Sequence, residues 1–130
     1  MPFFFISVLF AGLLPYVWIG YAKFSQRGYD NKNPRDFVNH LDGARRRAHW
    51  AHLNAFEAFP FFAAAVVVAY LQAVNVETLN ILCAVFLGCR ILHGVFYIAD
   101  QATLRSLAWF GGIACIVAIF INAWQTGAVE

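Results

Sequence analysis

Formal charge is what this chain has least of. Nine Lys and Arg and seven Asp and Glu make up 12% of 130 residues, against 62% hydrophobic residues and a mean hydropathy of +0.63. A soluble domain of this length cannot hide that much apolar surface, so an aqueous globular fold is excluded and lipid is the solvent the composition demands. Cysteine is scarce too. Cys83, Cys89 and Cys115 fall inside apolar runs without paired metal-type spacing, and an odd number completes no disulfide set within one chain. They read as small buried hydrophobes. His49 and His52 stand three apart, but no cysteine or second histidine pair accompanies them, so no metal is expected. Low-complexity tracts and short-period repeats are absent, and the apolar runs leave no room for a separate soluble domain. The net charge of +2 does not point to nucleic acid.

What the chain does have is length without charge. Met1–Ala22, Ala58–Val76 and Ser106–Val129 carry no charged side chain, and Thr78–Ala99 is interrupted only by Arg90. Each approaches the roughly 20 residues that cross about 30 Å of hydrocarbon at about 1.5 Å per residue. The reading is an all-α integral membrane protein: one four-helix domain over 1–130, with spans near 3–22, 47–73, 78–99 and 104–126. The first run lacks the basic start and small-residue cleavage pattern of a leader, so it is expected to stay as a helix, kinked at Pro15. Residues 23–46 form the one long hydrophilic connection. Asp30-Asn31-Lys32-Asn33-Pro34 reads as a loop or turn, continued by Asn39, His40, Asp42 and Gly43. Asn75 is expected to cap the third helix and Thr103 the fourth.

Seven of the nine basic residues (Lys23, Arg27, Lys32, Arg35, Arg45, Arg46 and Arg47) lie in or at the end of this connection. That asymmetry predicts a cytoplasmic first loop, with both termini on the opposite side. The triple Arg beside a membrane also suits anionic lipid headgroups.

Against this background the polar residues inside the helices stand out, because a charge near the bilayer centre costs about 2.5–3.5 kcal/mol on insertion scales and belongs in a bundle interior or wet cavity. Arg47, Asn54 and Glu57 follow helical spacing along one stripe of the second span, and Arg90, His93 and Tyr97 along one stripe of the third. The two spans are joined by a short connection and are expected to pack antiparallel. Counted from the charged boundaries Arg47 and Asp100, Glu57 and Arg90 lie equally deep, roughly 15 Å in at the helical rise. They are therefore expected to form a buried ion pair, although counting from the outer ends staggers them by about 10 Å. With Arg105 entering from the fourth helix, the six groups Asn54, Glu57, Arg90, His93, Tyr97 and Arg105 are more than helix–helix adhesion needs. An anionic or zwitterionic occupant, such as a small acidic peptide, fits a site where Arg outnumbers Glu.

The run Arg47-Ala48-His49-Trp50-Ala51-His52-Leu53-Asn54-Ala55-Phe56-Glu57-Ala58-Phe59-Pro60, followed by Arg90-x-x-His93-Gly94-x-x-Tyr97 and Arg105-Ser106, resembles the MAPEG family, the membrane-associated proteins in eicosanoid and glutathione metabolism. The resemblance implies a homotrimer with glutathione at the subunit interface near the cytoplasmic side. It assigns glutathione contacts to Arg47, Asn54, Glu57, Arg90, His93, Tyr97 and Arg105, and chemistry at the thiolate to Arg105 and Ser106. It implies a glutathione S-transferase or glutathione-dependent peroxidase whose second substrate, a hydrophobic electrophile or lipid hydroperoxide, arrives from the surrounding membrane lipid. The compact chain is similar to prokaryotic members, which implies a bacterial inner membrane. Trp50 stands where enzymatic members commonly carry Arg, and Leu53 where some are basic. The family also includes a non-catalytic, lipid-holding member, so a lipid-binding or scaffold protein of the same fold is the alternative, with a small transporter behind it.

Overall fold

In the computed structural model residues 1–128 are described; 129 and 130, part of the expected single domain, lie outside the described residues. The helices are α1 (Phe3–Phe24), α2 (Pro34–Asn39), α3 (Gly43–Leu71), α4 (Val76–Ile98) and α5 (Ala102–Gly127). All but α2 are long and apolar enough to cross a membrane.

The boundaries differ from the sequence expectation at the loop end. α3 begins at Gly43 rather than 47 and runs for 29 residues, about 43 Å at the helical rise, which exceeds a hydrocarbon core of about 30 Å. Its first turns, with Arg45, Arg46 and Arg47, therefore project beyond the apolar layer. The connection 23–46 is not all loop, because Pro34 at the first helical position opens the six-residue α2, where a proline's missing N–H costs nothing. Arg45 holds this end against α1, donating from Nε to the Ala22 carbonyl at 2.9 Å and from Nη2 to that of Lys23 at 3.1 Å.

Asn75 caps α4 as expected, its side chain accepting the Thr78 backbone N–H at 3.0 Å. Thr103 does not cap α5: the helix starts at Ala102, and Gln101 precedes it without a side-chain cap bond. Chain reversal between α4 and α5 puts Asp100 at φ +61, and Gln101 N–H returns to the Phe96 carbonyl at 2.9 Å, the pattern that closes a helix with one left-handed residue.

The core concentrates in the half of the bundle away from the long connection. Phe62 of α3 and Phe86 of α4 stack with centroids 3.9 Å apart, surrounded by Leu79, Val66, Ile116 and Ile119, all fully buried. Toward the loop end the packing changes character. Trp18 of α1 lies directly on Gly94 of α4, where any Cβ would overlap its indole, so glycine is what lets these two helices approach.

Candidate functional site

Three helices deliver the polar groups. Arg90 and His93 are almost wholly buried, at 4% and 3% exposure, while Asn54, Tyr97 and Arg105 are half-buried and Glu57 and Ser106 exposed. Arg90 Nη2 donates to Asn54 Oδ1 at 2.7 Å, a short charge-assisted bond. Because a guanidinium only donates, it fixes the carbonyl side of the Asn54 amide inward and leaves the Nδ2 hydrogens available to a ligand.

The expected Glu57–Arg90 ion pair is absent. Asn54 is the partner Arg90 uses, and among the described residues the one ion-pair contact is His40–Asp36 at 3.5 Å, out in the long connection. The reason is azimuth. Glu57 sits three residues on from Asn54, about 4.5 Å further along α3 and about 60° short of a full helical turn, and it lies exposed on the outer face.

Arg47 is also placed differently from its expected role. Its Nε and Nη2 both donate to the Ile98 carbonyl, at 3.1 and 3.0 Å, satisfying an orphan acceptor at the end of α4. It ties α3 to the α4–α5 turn and lines neither hollow of the site.

Those hollows adjoin. One, of about 430 Å³, is lined by Trp50, Leu53, Asn54, Glu57 and Tyr97. The other, of about 200 Å³, is bounded by Asn54, His93, Tyr97, Arg105, Ser106 and the aromatic pair Trp109 and Phe110. Asn54 and Tyr97 belong to both walls. The Arg105 guanidinium sits over the Tyr97 ring at 4.5 Å, a cation–π contact that positions it without neutralising it. His93 meets the same ring edge-on at 5.5 Å, and its Nδ1 is buried without a hydrogen-bond partner, which is uncommon for a polar atom with no task. The structure thus gathers Asn54, Glu57, His93, Tyr97, Arg105 and Ser106 around the hollows, with Arg90 behind Asn54. Sequence reasoning left out Trp109 and Phe110. Each lies four residues beyond a predicted site residue, Arg105 and Ser106, and so falls on the same helical face.

No curated protein and no solved structure matches the chain closely enough to count as a relative. A family model does match over residues 3–124, which take in α1, α3, α4, all but the last three residues of α5 and every residue of the two hollows. The chain is a multi-pass membrane protein and belongs to the MAPEG family.

Proposed function

We propose that the paired hollows bind glutathione and activate its thiol for attack on hydrophobic electrophiles, making this a membrane glutathione transferase. The observation that carries the reading is the sharing of Asn54 and Tyr97 by two hollows of opposite character: a carboxylate at one end, an unneutralised guanidinium beside a hydroxyl at the other. Glutathione has the matching polarity. Its ammonium pairs with Glu57, a carboxylate or amide accepts from Asn54 Nδ2, and its sulfur lies by Arg105 and Ser106. A free thiol has a pKa of about 8.5, and a neighbouring cation enlarges the thiolate fraction at neutral pH. The thiol proton leaves to water at the open mouth, and the sulfur lone pair forms a C–S bond as the electrophile's leaving group departs with its electron pair. With a lipid hydroperoxide the same thiolate attacks oxygen, giving a sulfenic acid and an alcohol. A second glutathione then closes the disulfide and releases water.

The working unit of this reading is a homotrimer. Glu57 is exposed on a spanning helix, where an uncovered carboxylate is costly, and a second copy of the chain covers it and supplies the cation that the Glu57 hollow lacks. The Arg105 end, facing Trp109 and Phe110, receives the apolar second substrate from the lipid.

A non-catalytic lipid-holding trimer is the second reading. One observation favours it: Trp50, not a cation, lines the Glu57 hollow, and Arg46 lies over that indole at 5.9 Å rather than in the hollow. Differential scanning fluorimetry of the detergent-purified protein separates the two. The transferase reading expects millimolar glutathione to raise the melting temperature by mass action and an aromatic electrophile to be conjugated. A response to fatty acid alone, with no glutathione heat in calorimetry, establishes the second reading instead.

A further inference from the structure

The seam between α3 and α4, which carries most of the walls of both hollows, is fastened by two guanidinium ties that run in opposite directions. Deep in the bundle, Arg90 of α4 donates to Asn54 of α3 at 2.7 Å. At the loop end, Arg47 of α3 donates from Nε and Nη2 to the carbonyl of Ile98, the last residue of α4, at 3.1 and 3.0 Å. Asn54 stands seven residues from Arg47 and Ile98 eight from Arg90, which places the ties about 10–12 Å apart along both helices at the helical rise. Between them the Trp50 and Tyr97 rings lie 6.3 Å apart. The seam is therefore set at both ends, and among the described residues Arg47 is the one side chain that hydrogen-bonds α3 to the end of α4.

What Arg47 holds is a bonded unit rather than a loose end. Beyond Ile98 the Asp100 N–H returns to the Tyr97 carbonyl at 3.2 Å and the Gln101 N–H to that of Phe96 at 2.9 Å. The Arg105 N–H then closes on the Gln101 carbonyl at 2.9 Å. Tyr97 and Arg105 are thus joined by successive backbone bonds across the chain reversal, and the Arg105 guanidinium lies 4.5 Å over the Tyr97 ring. Where the reversal sits against α3 therefore sets where the Arg105 charge stands relative to Asn54 and Glu57. A carbonyl at a helix C-terminus is a favourable partner for a cation, and Arg47 lines neither hollow. Its fork is spent on this placement and not on a ligand.

We propose that Arg47 is a positioning residue for the thiolate chemistry: through the Ile98 carbonyl it holds the α4–α5 reversal so that the Arg105 guanidinium meets the glutathione sulfur. The chemistry of this proposal rests on the transferase reading, while its mechanics belong to the chain without ligand. A displacement of about 1 Å at a reacting centre costs about 100-fold in rate. The Arg90–Asn54 tie stays in place when Arg47 is lost, so turnover suffers more than glutathione binding.

Arg47→Ala should lower turnover of an aromatic electrophile about 10-fold or more and raise the pKa of the bound glutathione thiol, with glutathione affinity within about threefold of the parent. In the Arg105→Leu background the same substitution should change turnover less than about twofold, because a residue that acts through Arg105 then has nothing to position. Effects that multiply in this cycle overturn the proposal. Hydrogen exchange of the full chain without glutathione reads the mechanics. Peptides over 96–105 should exchange about 10-fold faster in Arg47→Ala, the factor one hydrogen bond to a charged group contributes, while peptides over 62–71 keep the parent rate. Arg47→Lys, which also serves where the alanine variant does not fold, keeps the charge but replaces the fork by a point donor. Its turnover should recover only as far as the protection of 96–105 recovers. Turnover restored with the reversal still open overturns the proposal in favour of charge acting at a distance, and equal exchange in parent and Arg47→Ala overturns it outright. A parent that neither binds nor conjugates glutathione removes the transferase reading instead, and the exchange comparison then decides the placement of Arg105 alone.

Discussion

The two halves of the bundle solve the same packing problem with opposite means. Away from the long connection, Phe62, Phe86, Leu79, Ile116 and Ile119 close the interior with apolar surface and stacked rings. Toward the connection the same helices enclose a buried guanidinium, a buried imidazole and two open hollows. Helix association in lipid rests on packing and interhelical hydrogen bonds, because lipid tails are as apolar as the core. The apolar half therefore holds by close packing, and the polar half by the interhelical hydrogen bonds of Arg45, Arg47 and Arg90, which leave two hollows open between them.

The comparison predicts unequal costs of mutation. Phe86→Ala should have the largest effect, destabilising by about 3–5 kcal/mol in a denaturant titration, with the glutathione affinity of the surviving folded protein unchanged. An affinity loss matching the stability loss would break the division between the halves.

Next comes the link at their border. A double-mutant cycle of Asn54→Ala with Arg90→Met should show coupling of about 1.5–3 kcal/mol, the range for a hydrogen bond to a charged group. The parallel cycle of Glu57→Gln with Arg90→Met should be additive within about 0.5 kcal/mol. Strong coupling in the second cycle would restore the ion pair that the structure lacks.

Third, Arg105→Leu should leave the melting temperature nearly unaltered while raising the pKa of bound glutathione thiol, so that thiolate absorbance at neutral pH falls. Turnover of an aromatic electrophile should fall about 100-fold or more, the range for losing one donor at a developing charge being about 100- to 1,000-fold, and binding much less. Unchanged titration and turnover would remove Arg105 from the chemistry.

The smallest effect is expected at Tyr97. Tyr97→Phe keeps the ring beneath the Arg105 guanidinium and should be close to neutral, whereas Tyr97→Leu should lose about 0.5–1 kcal/mol of positioning, measured as the difference in turnover between the two variants.

Much of this architecture was legible beforehand because lipid enforces a simple code. Four charge-free or nearly charge-free runs became α1, α3, α4 and α5, and Asn75 announced a helix start that the structure bears out. α2 was missed because Asn33-Pro34 is equally a turn signal and a helix opening. The site was legible as a set of heights along helices but not as a set of directions. Depth placed Glu57 opposite Arg90, and only the rotation of α3 shows that Asn54 faces inward and Glu57 outward. Arg47 was on the right stripe, yet the end of α4 at its height offered a bare carbonyl that claimed its guanidinium.

Gly94, pressed against Trp18, gives the motif Arg90-x-x-His93-Gly94-x-x-Tyr97 a second meaning. Three of its letters are polar side chains at or behind the hollows, and the fourth records a distance between helices. Substituting it with alanine would act as a wedge, pushing α1 outward and turning the backbone that carries His93 on the adjacent residue. A signature of this kind is partly a mechanical drawing: a chain could keep all three polar letters, lose the glycine, and hold the same reagents on a frame of the wrong width.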